Sequence, residues 1–278
     1  RRQRQMCIRD RGLAAQTKKA GKVAAEGVSY AIVADNGVGV VIEVNSQTDF
    51  VAKNEKFQQY VADVAAQALT TTAADIDAFL AESWKFDTTK TVNEALAGQI
   101  AVIGENMKIR RFQQVEEANG FVASYTHMGG KIGVLVDVET DVVNDAVKEM
   151  ARNVAMQIAA LKPQYTCDSE VSAEYIEHEK EILLAQIMND PKESQKPEKV
   201  INGMIEGRVN KELKEVCLVD QVYVKAEDGK QTVAKYLEQV SKEVGTPVTV
   251  KKFVRFETGE GIEKKEEDFA AEVAAQLK

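Results

Sequence analysis

The order of apolar and polar positions predicts a chain in which strands and helices are mixed. Apolar runs at residues 28–33 and 38–44 flank the turn Asp35-Asn36-Gly37, which is typical of a β-hairpin. Apolar residues then recur at spacings of three and four, so a helix is expected from Thr48 to Leu69. Further on, short helices are predicted at 75–83 and 91–104, and a strand at 107–115.

The same order of elements recurs in the middle of the chain. Residues 133–138 resemble residues 39–44, and residues 140–143 resemble residues 48–51. A long helix is predicted after both, ending at Leu161 in the second copy. The repeat predicts an α+β fold in which two similar hairpin-plus-helix subdomains form a pseudo-twofold core.

Two helices are predicted next, at 172–189 and 198–214, with a polar turn between them. Their apolar residues follow heptad-like or four-residue spacings, which favours an inserted antiparallel coiled-coil hairpin over an ordinary pair of core helices. Both arrangements stay open at this point. The hairpin is too thin to fold on its own, and we expect it to project from the core.

The last third of the chain alternates again. Strands are predicted at 216–224 and 248–256, with a helix between them at 232–244 and a C-terminal helix that has Phe269 on its apolar face. The expected divisions of the chain are 1–11 (an artificial or frame-shifted arginine-rich start), 12–26 (linker or helix remnant), 27–117 (first core subdomain), 118–171 with 215–261 (second core subdomain), 172–214 (coiled-coil hairpin) and 262–278 (C-terminal helical module).

Composition narrows the class of protein. The chain has 278 residues, of which 44% are hydrophobic and 29% charged, with a formal net charge of −8. This balance is typical of a soluble globular protein and argues against direct binding of nucleic acid, which needs a clustered basic surface. No apolar run approaches the ~20 residues of a membrane span. Three widely spaced cysteines fit neither a disulfide framework nor a zinc site.

Chemistry-bearing motifs are scarce. The sequence has no phosphate-binding G-x-x-x-x-G-K-[ST] loop and no strand-linked G-x-G-x-x-G motif. Of its two histidines, His178 is expected on a solvated helix face. His127 precedes Met128-Gly129-Gly130 and is either a contact residue or an ordinary turn histidine. We therefore predict no catalytic residue, no metal site and no cofactor, and a binding protein in preference to an enzyme.

The polar stretch after the first hairpin holds the most informative residues. Thr48 or Asp49 is expected to cap the following helix, because side-chain oxygens of these types accept the free amides of a first helical turn. Phe50 is unusual at such a position. It either fills the chain's own core or probes a partner. Val142 at the matching position of the second copy, after a shorter loop, leaves both interpretations open.

The stretch Val44-Asn45-Ser46-Gln47-Thr48-Asp49-Phe50-Val51-Ala52 resembles the signature of the elongation factor Ts family, the guanine-nucleotide exchange factors of elongation factor Tu. Other stretches resemble the same family in the same order, among them Ile103-Gly104-Glu105-Asn106, Ser124-Tyr125-Thr126-His127 and the run from Arg255 to Glu263. The resemblance covers about residues 12–278. It differs at the front, where family members usually have a small ubiquitin-associated-like domain.

The resemblance implies a function and a set of contacts. The expected partner is elongation factor Tu, GDP-bound and nucleotide-free, with no membrane or direct nucleic-acid partner, in the cytoplasm of a bacterium or in an organelle. Both a monomer and a homodimer are compatible with it. The implied contact residues are Thr48, Asp49, Phe50, Val51, Ile103, Gly104, His127, Val224, Phe269 and Val273.

Two other classes of function remain as alternatives. A small-molecule enzyme on the α+β core would place Asp49 and His127 in one concave pocket. A scaffold would bind partners through its coiled coil without promoting nucleotide exchange. The exchange-factor hypothesis instead requires Phe50 to be exposed.

Overall fold

The computed structural model of the chain describes residues 2–263, and the predicted α+β class is confirmed. The chain folds as two compact units. Within the described residues, the first consists of residues 2–115, Ser124–Val134 and residues 254–263. The second consists of Glu116–Ala123 and Leu135–Phe253.

The first unit contains an antiparallel sheet in the order β1-β2-β3, formed by β1 (Glu26–Val33), β2 (Gly39–Ser46) and β3 (Met107–Val115). The predicted hairpin is therefore confirmed, with Tyr30 opposite Ile42. Every residue of the central strand β2 is buried, which explains why its sequence is a nearly continuous apolar run.

Four helices follow or flank this sheet: α1 (Arg2–Lys19), α3 (Glu55–Ala68), α4 (Ile76–Ala81) and α5 (Val92–Ile103). α1 runs without a break across the division expected between residues 11 and 12, and it packs on α5. The apolar face of α3 covers the sheet, with Phe57 and Val64 fully buried. α5 begins with a complete capping box, in which Thr91 and Glu94 each accept the other's backbone amide.

The single helix predicted from Thr48 to Leu69 is wrong in one respect. The chain forms a separate one-turn helix, α2 (Asp49–Ala52), before α3 begins. Asn54 is extended at ψ 130, and its Oδ1 accepts the Lys56 amide at 2.9 Å, which starts α3 afresh. Periodicity did not reveal this break, because the apolar spacing continues across it.

A second sheet has the order β4-β5-β6, with β4 (Gly120–His127), β5 (Ile132–Glu139) and β6 (Thr249–Glu257). In the second unit α6 (Asp145–Leu161) packs on α9 (Val233–Val244). The repeat places Thr140-Asp141 opposite Thr48-Asp49, and the capping role that this would predict for the second pair is wrong. Asn144 caps α6 instead, whereas the Thr140 hydroxyl closes a local turn with Val142. The second unit thus has no counterpart of α2, and the pseudo-twofold relation stays a prediction.

The strand predicted at 216–224 is also wrong. The segment forms a 3-10 turn at Leu218–Asp220 and makes two isolated β-bridges, Tyr165 with Cys217 and Val222 with Thr232. The Leu218 amide donates to the Tyr165 carbonyl at 2.9 Å, so its backbone is satisfied locally without a ladder.

The predicted helix pair is confirmed as α7 (Ala173–Asn189) and α8 (Glu198–Val216), which pack against each other. Their shared cluster contains Ile187, Ile201, Ile205 and Val209, and every residue packed on it comes from the same two helices. The pair therefore has a small core of its own, unlike ordinary core helices. Knobs-into-holes packing stays a prediction.

Among the described residues, no helix is both long and apolar enough to cross a membrane. The predicted C-terminal helix, with Phe269 and Val273, falls almost entirely on residues 264–278, which lie outside the described part of the chain.

Candidate functional site

The one-turn helix α2 holds Phe50 in an exposed position. The Phe50 side chain is 81% exposed, whereas Ala52 is buried and Val51 packs on the core of the first unit. The helix is thus anchored by one side and presents its aromatic residue on the other. Phe50 does not fill the core, so that interpretation of the sequence is wrong.

The start of α2 is capped and braced by polar contacts. Thr48 is the N-cap, as predicted, and its Oγ1 accepts the Val51 amide at 3.4 Å. The Glu105 carboxylate accepts both the Thr48 amide at 3.1 Å and the Thr48 hydroxyl at 2.8 Å. Glu105 comes from the loop after α5, so it ties together two segments that are distant in sequence.

The same loop is held at further points. The Asn106 amide donates to Gln47 Oε1 at 2.7 Å, and Asn106 Nδ2 donates to the Lys22 carbonyl at 2.7 Å. Gly104 ends α5 in the left-handed region at φ 87, and its carbonyl accepts Lys19 Nζ. The structure therefore brings the predicted contact residues Ile103 and Gly104 next to the segment that holds Phe50.

Asp49 lies at the first position of α2, beside Phe50. Lys53 Nζ donates to Asp49 Oδ2 at 2.7 Å, an i,i+4 pair on an exposed surface. This hydrogen bond lowers the pKa of Asp49 below its ordinary value, and the charge of Lys53 adds to the effect. The carboxylate is therefore ionised at neutral pH and stays accessible to a partner.

His127 is the last residue of β4, and its carbonyl accepts the Gly130 amide at 3.1 Å, so it begins the glycine-rich turn. Its Nδ1 shares a hydrogen bond of 2.8 Å with the Tyr125 hydroxyl, and the two rings lie 5.7 Å apart. Met128 follows at φ 49 with 72% of its side chain exposed. The Gly130 carbonyl then accepts the Ser29 amide at 2.7 Å and fixes this turn against β1.

The enzyme hypothesis requires a pocket that joins Asp49 and His127. A cavity of about 440 Å³ does lie in this unit, between β1, α3 and the turn after β4. Its lining includes Tyr30, Gln58 and Thr126 but neither Asp49 nor His127. Asp49 pairs with Lys53 and His127 with Tyr125, so this cavity does not support an acid-base pair.

Val224 lies in a turn, and the strand predicted at this position does not form. Its side chain is 48% exposed, and its amide donates to Oε1 of the buried Gln157 at 2.8 Å. Val224 belongs to the second unit, whereas Phe50, Ile103 and His127 belong to the first.

A buried charge that the sequence analysis missed lies in the middle of β2. Glu43 is fully buried, and its carboxylate accepts Arg110 Nη1 at 3.0 Å, Arg111 Nε at 2.6 Å and the Gly259 amide at 2.8 Å. A β-bulge opposite Glu43 and Val44 lets both arginines of β3 reach one carboxylate. The sequence did contain a signal for this network: a single acidic residue within an apolar strand, and two successive arginines within a later strand.

The charge of Glu43 is stabilised by these partners. Burial by itself raises the pKa of Glu43, but the Gly259 amide, Asn45 and both arginines lower it by more. The net pKa is below the ordinary value, so the acid stays ionised. This network fixes the turn after β6 on β2 and β3 of the same unit.

An exposed aromatic residue and an ionised carboxylate lie side by side on a braced helical turn of a mixed α+β framework. By its fold and site, the chain is therefore an α+β protein with an exposed aromatic residue on a fixed turn. The family model described as elongation factor TS matches residues 47–260. The chain belongs to the elongation factor Ts family, which confirms the resemblance noted in the sequence.

Curated relatives named elongation factor Ts align with nearly the whole chain. The elongation factor Ts of Clostridioides difficile (strain 630) is 49% identical over 272 residues, which is 98% of this chain and 87% of the relative. That of Clostridium novyi (strain NT) is 47% identical over 271 residues, 97% of this chain and 87% of the relative. That of Trichlorobacter lovleyi is 46% identical over 273 residues, covering 96% and 86%.

Proposed function

We propose that this protein is a guanine-nucleotide exchange factor that binds elongation factor Tu with GDP and promotes GDP release during translation elongation. The observation that supports this most directly is the 81% exposed Phe50 next to the ionised Asp49. Phe50 offers a large apolar area on a fixed backbone, and aromatic residues are enriched in the buried cores of protein interfaces.

The mechanism is physical and needs no covalent step. Asp49 and Phe50 press into the nucleotide-binding domain of elongation factor Tu near its magnesium site. Phe50 wedges between side chains there and displaces the helix that follows the second switch. The partner then loses magnesium coordination and its phosphate-binding loop is distorted, so GDP is held less tightly. Ile103 and Gly104 support a neighbouring helix of the same partner domain.

Further contacts extend the interface. His127 and the turn at Val224 meet the third domain of elongation factor Tu. Phe269 and Val273 add contact area on the nucleotide-binding domain. We expect these to contribute affinity, whereas Phe50 contributes the distortion that releases nucleotide. We place the reaction in the cytoplasm of a bacterium, without direct contact to nucleic acid, and with either one or two copies of the chain.

Exchange is necessarily reversible. If this protein weakens GDP binding by a given factor, GDP weakens the protein's own binding by the same factor. The factor therefore speeds exchange without driving it, and the cellular ratio of GTP to GDP sets the direction.

The test is release of a fluorescent GDP analogue from elongation factor Tu in the presence of excess unlabelled GDP. We expect this protein to accelerate release, and to do so when present at one tenth of the partner's concentration, because it is regenerated in each cycle. If the release rate is the same with and without the protein, the proposed function is wrong.

A further inference from the structure

We propose that Glu105 is a positioning residue for nucleotide release: its carboxylate holds Thr48, and through Thr48 it fixes the direction in which Phe50 points. This inference rests on the proposed function. It assigns a role to a residue that itself need not touch the partner.

The argument begins with the weakness of α2. A helix of one turn fixes many backbone angles for very few hydrogen bonds and is not stable by itself. The cap of α2 from Thr48 Oγ1 to the Val51 amide is long, at 3.4 Å. Apolar support comes from Val51 and Ala52 on the buried side alone. The Ser46 hydroxyl donates to the Thr48 carbonyl at 3.0 Å, which leaves the Thr48 amide and hydroxyl to be held by another group.

Glu105 supplies that support with two bonds to one residue. Its Oε2 accepts the Thr48 amide at 3.1 Å and its Oε1 accepts the Thr48 hydroxyl at 2.8 Å. Because the hydroxyl proton points to Glu105, the oxygen lone pairs are free to accept the Val51 amide. The carboxylate therefore sets the orientation of the cap as well as the position of Thr48. Bonds to a charged acceptor are stronger than bonds between neutral groups.

Glu105 is itself held in place from both sides. Gly104 before it bonds Lys19, and Asn106 after it bonds both Gln47 and the Lys22 carbonyl. The side chain is thus aimed at Thr48 by a rigid loop. A fixed tip loses less entropy on binding, so more of the binding free energy is available to distort the partner.

Hydrogen exchange of the free protein tests the brace without any partner. In Glu105→Ala, the amides of peptides covering residues 47–52 should exchange about tenfold faster or more, as expected for loss of charge-assisted bonds. Glu105→Gln keeps one acceptor oxygen and should fall between wild type and Glu105→Ala. Glu206→Gln, an exposed change on α8, is the control and should leave these amides unchanged. Unchanged exchange in Glu105→Ala would overturn the brace.

A second experiment compares the rate of nucleotide release with the affinity for elongation factor Tu. For Glu105→Ala we expect nucleotide release at saturating protein to fall about tenfold, while affinity for elongation factor Tu changes less than threefold and the melting temperature of the core is kept. Thr48→Ala should show a comparable loss, and the double variant should lose clearly less than the two single losses combined, because both substitutions remove the bond between the Thr48 hydroxyl and Glu105. Additive losses, or wild-type turnover in Glu105→Ala, would refute the positioning role.

The two hypotheses fail in different ways. If wild-type protein does not accelerate GDP release, the proposed function is wrong, whatever the hydrogen exchange shows. If wild type accelerates release and Glu105→Ala does so equally, the function stands and the inference about Glu105 is wrong.

Discussion

Replacing Phe50 by alanine separates nucleotide release from folding. With 81% of the side chain already exposed, its removal leaves no cavity, and we expect the free energy of unfolding to change by no more than about 0.5 kcal/mol. The melting curves of wild type and variant should therefore superimpose.

The effect on exchange follows from the area that a partner can cover. A phenylalanine side chain offers about 200 Å², so about 150 Å² remains to be buried in the complex. At about 25 cal/mol per Å² this corresponds to about 4 kcal/mol. Ordering the side chain costs about 1 kcal/mol and alanine retains part of the area, which leaves about 2 to 3 kcal/mol. The expected loss is roughly 30- to 150-fold in the rate of stimulated GDP release.

The assay is release of a fluorescent GDP analogue from elongation factor Tu, measured over a range of exchange-factor concentrations. Phe86→Ala is the matched control, because Phe86 is also exposed, at 54%, but packs on Trp84 and lies in the segment between α4 and α5. It should retain wild-type rates. Equal rates for Phe50→Ala and wild type, or equal losses for the two alanine variants, would refute the wedge mechanism.

Three further predictions concern stability. Burial and the neighbouring Glu117 raise the pKa of Asp137 to about 6, although Lys251 and Lys252 oppose the shift. The protonated Asp137 carboxyl therefore stabilises the fold at pH values below the ordinary aspartate pKa, and this stabilisation is lost as the pH rises through 6. In the wild type, the free energy of unfolding in urea should fall by about 1 to 2 kcal/mol between pH 4 and 6.5, and Asp137→Asn should abolish this fall. A pH profile of the variant like that of the wild type would contradict the prediction. Glu43→Gln should lower the free energy of unfolding by about 2 to 3 kcal/mol, because Arg110 and Arg111 lose their charged acceptor; a urea midpoint like that of Glu206→Gln would argue against it. Ile205→Ala should cost about 2 kcal/mol and speed hydrogen exchange in α7 and α8 alone; equal acceleration in β1–β3 would show that the hairpin has no core of its own.

Most elements could be predicted from the sequence because their signals are local. The Asn-Gly turn and two apolar runs specify the first hairpin, and Thr91 with Glu94 specifies the start of α5. The apolar residues of α8 recur every four positions, and this spacing correctly predicted the helix pair. The strand predicted at 216–224 was wrong. The apolar and polar residues alternate there, but the backbone forms a hydrogen bond with Tyr165 instead of a β-ladder.

The candidate site was only partly predictable. The sequence motif identified Thr48, Asp49 and Phe50, yet it left open whether Phe50 is buried, because an aromatic residue fits either environment. It also gave no sign that Glu105 braces Thr48, since the two are 57 positions apart. The break at Asn54 was hidden for a related reason: the apolar spacing of the two helices is continuous across it.

By itself the sequence determined most of the strands and helices, which faces are apolar, and to which family the chain belongs, because periodicity, capping and motif order are properties of neighbouring residues. The tertiary structure alone decided that α2 is a separate turn, that Phe50 is exposed, and that Glu43 and Glu105 are held by distant partners. Exposure and long-range hydrogen bonds depend on which segments meet in space. No local pattern of residues specifies that meeting, and only the folded chain reveals it.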